Sequence, residues 1–251
     1  MNISYDTLKE NAKRSLAINY WLSVAASAVV TILSGLGSGV SSGISRALNN
    51  VDESDISLGI VILMLIISLI TTTISLAVTF CLTNILTVGQ AQYYLKLRKG
   101  YPDFMAIFSG FQNGNYSKVF KIMLRKTIYL TLWYLLFIIP GIIYGLAYFM
   151  VDYIAAENPD IDSKRAIEIS EKTMDGEKAN LFLLQLSFIG WILLAILTCG
   201  IGMYFLAPYM QATYTEFYEC MKAKAINNGI ATAAEFGIVP EAPSAEDAPA
   251  Y

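Results

Sequence analysis

Histidine is absent from this 251-residue sequence. That removes the commonest general base and the commonest metal ligand. Charge is scarce as well. Asp, Glu, Lys and Arg make up 15% of the residues, whereas soluble domains carry roughly 25%. The three cysteines, Cys81, Cys199 and Cys220, lie far apart, each in or beside an apolar run. None has the spacing of a metal or redox motif, and a free buried thiol behaves as a small apolar group. There is no phosphate-binding loop, no dinucleotide fingerprint and no paired nucleophile and base. No cofactor and no enzymatic activity is therefore expected. A net charge of −3 offers nucleic acid no electrostatic reason to bind.

What is present is apolar: 55% hydrophobic residues, arranged in long uncharged runs that place the chain in the membrane class. The run from Ala179 to Thr215 carries no charge. It is too long for one span of ~20 residues, and its turn signal is Gly200-Ile201-Gly202. It reads as two spanning helices folded back at Gly200 and Gly202. A second uncharged run, Ile56 to Leu95, would make about 60 Å of helix, twice a bilayer core. Its polar Asn84, Gln90 and Gln92 point to a span near Leu58–Leu82 and a continuation beyond the membrane. A turn at Thr71–Thr73 would lack Gly or Pro. The run Thr127 to Val151 has Pro140-Gly141 near its middle and reads as a tight hairpin or one kinked span.

The N-terminal part adds a helix from about Trp21 to Ile44, with Tyr20 and Trp21 as interfacial anchors. Gly35, Gly39 and Gly43 form a tandem GxxxG that allows close helix approach, within the molecule or at a dimer seam. Before it, Leu8, Ala12, Leu16 and Tyr20 share one side of residues 5–20, with Lys9, Lys13 and Arg14 off that side. Such a helix suits the headgroup region, or forms the exposed first turns of the helix that follows. No signal peptide is expected, because Asp6 and Glu10 precede an apolar run that is itself long enough to span. A second surface helix starts at Asp162 as N-cap, with Ile161 and Ala166 as a staple. Its weakly apolar face is Ala166, Ile167, Ser170 and Met174. Lys164–Glu168 and Glu168–Lys172 have i, i+4 spacing, and Gly176 ends the helix.

Basic residues decide the topology through the positive-inside rule. If Pro140-Gly141 is a hairpin tip, six membrane segments form three hairpins, and all basic residues except Arg46 fall on the cytoplasmic side. A single crossing by Thr127–Val151 would instead move Lys164, Arg165, Lys172, Lys178, Lys222 and Lys224 outside. The expected fold is an all-α polytopic bundle over residues 1–224, with amphipathic surface helices and both termini cytoplasmic. The weak echo of Phe149–Tyr153 in Phe205–Tyr209 agrees with a repeated hairpin. Residues 225–251, rich in Ala and Pro and acidic, are expected to form a disordered cytoplasmic tail. Between Gln90 and Lys126 seven bases face one acid, Asp103. Lys118, Lys121, Arg125 and Lys126 are candidate contacts for anionic lipids.

A resemblance emerges at Glu157-Asn158-Pro159-Asp160, Ala166, Ser170, Met174, Gly176, Leu186–Trp191, Gly200-Ile201-Gly202, Pro208-Tyr209 and Phe217-Tyr218. Upstream, Ile139–Ile142 and Leu8–Lys13 take part as well. Over about residues 5–222 the chain resembles an uncharacterised family of integral membrane proteins of Gram-positive bacteria, a domain of unknown function. It is more distantly similar to membrane regions that accompany glycerophosphodiester phosphodiesterases. The resemblance implies a helical bundle in the bacterial cell membrane and brings no activity and no catalytic residues. Asp152 departs from the family pattern, where proline is expected. Two function classes fit these features. One is a membrane interaction or assembly protein with an unidentified protein partner. The other is a transporter or peptide-export helper, for which the helix breaks would line a site.

Overall fold

The computed structural model describes residues 4–48, 58–112 and 114–238; at 35–48, 58, 60–61, 74–76 and 78–79 only the backbone is described. Among the described residues ten α-helices follow one another: α1 (Tyr5–Ile18), α2 (Tyr20–Leu48), α3 (Leu58–Arg98), α4 (Tyr116–Leu136), α5 (Ile138–Ala147), α6 (Val151–Glu157), α7 (Ser163–Met174), α8 (Lys178–Leu186), α9 (Ile189–Leu197) and α10 (Ile201–Asn227). Short 3-10 helices occupy Phe104–Phe111 and Ala233–Phe236. No strand occurs among the described residues.

α3 sets the plan. It is one uninterrupted helix, as its lack of Gly and Pro around Thr71–Thr73 predicts. The hydroxyls of Thr71 and Thr73 donate to the carbonyls of Ile67 and Leu69, both at 2.8 Å, so they do not break the helix. Its two halves differ in burial. Leu63, Leu65 and Leu69 are exposed, whereas Ile85, Leu86, Tyr93, Tyr94 and Leu97 are buried. Around that second half α1, α4, α6, α7 and the C-terminal half of α10 form a core. Ion pairs knit this end together: Arg98–Glu216 at 2.9 Å, Lys126–Asp152 at 2.6 Å, Lys224–Glu177 at 3.0 Å, and Lys222–Glu157 at 2.6 Å. The Tyr218 hydroxyl donates to the other Glu157 oxygen at 2.5 Å. Lys222 and Glu157 are almost fully covered, so each needs the other to offset its desolvation.

α2 leaves this end beside α3. Ser23 and Ser27 hydrogen-bond the hydroxyls of Tyr93 and Tyr94 at 3.0 and 2.7 Å. The tandem Gly35, Gly39 and Gly43 lies on α2, but the surroundings of its side-chain positions are outside the described residues. α1 is a separate helix bent by 98° from α2. Its predicted face, Leu8, Ala12 and Leu16, is buried. That face lies against protein, chiefly α10.

The turn between α4 and α5 is at Phe137, which is extended (φ −159°, ψ 151°), three residues before the predicted tip. Pro140 explains the shift. It has no N–H for the Leu136 carbonyl and its ring would strike that carbonyl, so α4 ends at Leu136. Pro140 then sits in the first turn of α5, where a missing N–H costs little. Gly141 allows α5 to lie against the Tyr134 ring, which a Cβ would meet at 2.3 Å. The turn between α9 and α10 falls where the glycines predict it: Gly200 is left-handed (φ 84°) and caps α10. A Cβ on Gly202 would meet the Ala195 Cα at 2.8 Å.

Two stretches among the described residues, Ile138–Glu157 and Lys178–Leu197, are long and apolar enough to cross a membrane. A bent pair, Tyr5–Ile18 with Tyr20–Ser34, would make a third. This is fewer than the six segments read from the sequence. α4 carries four basic residues in its first three turns and α10 runs into Glu216 and Lys222, so neither qualifies along its whole length. α7 follows its predicted cap. The Asp162 carboxylate accepts from the amides of Lys164 and Arg165 at 2.8 and 3.2 Å. Glu168–Lys172 is paired at 2.6 Å, while Glu168 takes Arg165, and not Lys164, as its second partner.

The chain beyond residue 224 departs from expectation. α10 continues to Asn227, and Ala233–Phe236 folds back with a Thr232–Glu235 capping box. Phe236 is buried, and Glu235 receives Arg165 at 2.7 Å. Composition alone could not register one aromatic and one acid meeting a fixed arginine. Residues 239–251 lie outside the described part.

Two outcomes follow from these contacts. A Cβ at Gly89 would lie 1.8 Å from the Ile107 carbonyl oxygen, a backbone atom that cannot rotate away. Gly89→Ala should therefore lower stability by about 2 kcal/mol or more. Gly145→Ala, whose nearest neighbour would be 3.7 Å away, should lower it far less; equal thermal midpoints for the two variants would refute the close approach. The hydrogen bond from Arg165, with help from the Thr232 amide, holds the Glu235 carboxyl down at about 2, from an ordinary 4.5. Because the folded value is the lower one, its contribution is present above pH 4.5 and is lost as pH falls toward 2. Hydrogen exchange over residues 228–238 should rise in that window, and Glu235→Gln should raise it already at pH 7.

Candidate functional site: an apolar groove beside two lysines

The bend at Asn19 holds α1 across the start of α2 and leaves an opening toward the α9–α10 pair. The result is an open groove of about 650 Å³. Leu16, Ala17 and Tyr20 form one wall, Trp191, Leu194 and Ala195 a second, and Phe205, Leu206 and Tyr209 the third. The periodicity of α1 explains the first wall: with Leu8, Ala12 and Leu16 turned inward, Lys9 and Lys13 fall along one edge. The elbow is fastened by the Tyr20 hydroxyl, which donates to the Phe205 carbonyl at 3.1 Å, and by Trp21 packed edge-on against the Phe205 ring. At the far end Thr198 closes the turn. Its hydroxyl donates to the Ala195 carbonyl at 2.7 Å and accepts from the Gly202 amide at 2.9 Å.

Lys9 Nζ stands 5.0 Å above the Phe188 ring and Lys13 Nζ 5.8 Å above that of Tyr209. The two rings pack edge to face at 5.5 Å. Neither amine has a carboxylate partner among the described residues, whereas Arg14, one position on, is taken by Glu10 at 2.6 Å. The groove can therefore take up an apolar chain and offers an anion a place at one end. A second, more polar cavity of about 310 Å³ lies in the ion-paired end between α3, α4 and α6. Gln92, whose Oε1 is buried without a partner, lines it. No group of three or more potential metal ligands occurs among the described residues.

Of the turn residues and lipid contacts put forward as site residues from the sequence, Gly202 lines the groove, while Leu16, Tyr20, Trp191 and Tyr209, named there for a helix face or a resemblance, line it as well. Pro140 and Gly141 shape the α4–α5 turn, and Gly200 the turn before α10. The four candidate lipid contacts separate. Lys118 pairs with Asp160 at 2.5 Å, and Lys126 with Asp152. Among the described residues Lys121 is exposed and carries no ion pair, and one Arg125 guanidinium nitrogen is buried without a partner. Sequence reasoning missed Lys13, Trp191 and Tyr209 as a group, because no local spacing links residues so far apart. The one available signal was the off-face placement of Lys9 and Lys13.

Asp152 and Lys126 are both largely covered. Lys126→Gln should therefore lower stability by roughly 1–2 kcal/mol by stranding a carboxylate, with recovery in the double variant carrying Asp152→Asn. Lys121→Gln should be near neutral. Chemical or thermal unfolding of the four proteins would decide it, and an unchanged Lys126→Gln variant would count against the pair.

The chain matches none of the curated proteins and none of the solved structures. Residues 135–225, from the end of α4 into the last turns of α10, match the family described as Protein of unknown function (DUF975), an uncharacterised family.

Proposed function

We propose that the chain is an integral protein of the bacterial cell membrane, acting through interaction or assembly and not through catalysis. Both termini and α7 face the cytoplasm, and the apolar helices enter the bilayer as three hairpins, α2–α3, α4–α5 and α8–α9–α10. The observation that carries this reading is the separation of the molecule into two kinds of surface. Basic residues of α4, α7 and α10 sit with the second half of α3 at the ion-paired end. Most of the exposed large apolar residues fall instead on Ile62–Ile70, Leu132–Ile143 and Ile189–Ile201, with a smaller number, such as Tyr101 and Met105, beside the ion pairs. In this reading α2 and α3 cross. The ten residues of α5 reach only about 15 Å, so the α4–α5 hairpin enters from the cytoplasmic side and returns. The transporter alternative would call for polar groups at mid-span, and the polar cavity beside Gln92 belongs to the ion-paired end instead.

A single cysteine at Ser163, in a variant with Cys81, Cys199 and Cys220 replaced, tests the orientation. An impermeant maleimide should leave it unlabelled in intact cells and label it after permeabilisation. Strong labelling of intact cells would refute the topology.

A further inference from the structure

We propose that the groove between the α1–α2 elbow and the α9–α10 pair holds one acyl chain of an anionic glycerophospholipid from the surrounding leaflet, with Lys9 and Lys13 receiving its headgroup. The inference rests on the membrane reading above. It adds a binding site on residues other than the α4 cations.

Size, lining and charge agree. The groove's 650 Å³ falls within the ~300–1,000 Å³ of small-molecule sites. The walls are chiefly aliphatic and aromatic; Lys13 lines the groove over Tyr209, and Lys9 stands beyond it over Phe188. Lipid tails are as apolar as Leu, so the walls admit an acyl chain without choosing among lipids. The choice falls to the headgroup. Lys9 and Lys13 are one helical turn apart on α1 and lack carboxylate partners among the described residues, while Lys96, Arg98, Lys118, Lys126, Arg165, Lys222 and Lys224 are all ion-paired. The Phe188 and Tyr209 faces hold the two amines in place without neutralising them. A phosphodiester at the headgroup level supplies the missing negative charge.

The test uses the full chain in nanodiscs containing phosphatidylglycerol and phosphatidylcholine of identical acyl chains in equal amounts, with retained lipid counted by native mass spectrometry. The parent should retain phosphatidylglycerol preferentially. Lys9→Gln with Lys13→Gln should lower the retained ratio by about 5-fold per lysine. Ala17→Trp, which fills the groove from an exposed position on α1, should release the held lipid of either kind. Lys164→Gln, at an exposed position of α7, should change neither. If Ala17→Trp fails to fold, Leu194→Trp closes the groove from the exposed face of α9. An unchanged ratio in the double lysine variant, an equal loss in Lys164→Gln, or undiminished lipid in the folded tryptophan variant would overturn the proposal. A chain missing from the membrane fraction would sink the membrane reading itself. A membrane-embedded chain without lipid preference would sink the inference alone.

Discussion

An uncharged helix about twice as long as a bilayer core is thick must find two environments along one axis. α3 meets this constraint by exposing its first half and burying its second, and the other helices are arranged to supply that burial. Tyr93 and Tyr94 show how it is done. Each fills space in the core with its ring and satisfies its hydroxyl on a serine of α2, so neither hydroxyl is left without a partner. Around the same half of α3 the charges come in pairs. Glu157 is the centre of that arrangement, with Lys222 on one oxygen and Tyr218 on the other. A short α6, an α10 that runs far past its apolar part and a folded Ala233–Phe236 all converge on it.

Legibility in the sequence followed the range of the interaction. The face of α1, the continuity of α3, the Asp162 cap and the left-handed Gly200 were all readable, because each depends on residues within a turn or two. The α4–α5 turn was displaced by three residues because a proline was read as the tip. Its real effect is on the carbonyl four residues earlier, which ends the preceding helix at Leu136 and leaves Pro140 inside the next one. The folding of residues 225–238 was hidden because Phe236 and Glu235 are satisfied by residues far back in the chain, Glu235 by Arg165. Composition reports how much apolar material a segment holds, not whether one aromatic has a place waiting for it.

The candidate site was the least legible part. Charge counting in Gln90–Lys126 treated every lysine as free. The acids that answer Lys118 and Lys126 are Asp160 and Asp152, more than twenty residues away in sequence. Counting charges gives the sign of a surface only when partners are local. On α1 the partners are local, since Glu10 takes Arg14, and two lysines are left over beside aromatic rings contributed by the other end of the chain. A groove made from the first and last helices has no signature in any short window.

That joining of first and last helix bears on how the chain is made. α1 leaves the ribosome early, with Leu8, Ala12 and Leu16 uncovered, and α10, which covers much of that face, follows roughly 200 residues later. At ~5–20 residues per second the interval is tens of seconds. During it α1 is an amphipathic helix without its protein partner, and the membrane surface is where such a helix is at home. The contact between α1 and α10 therefore forms only after nearly the whole chain has been made, so the ends of the chain close the structure last.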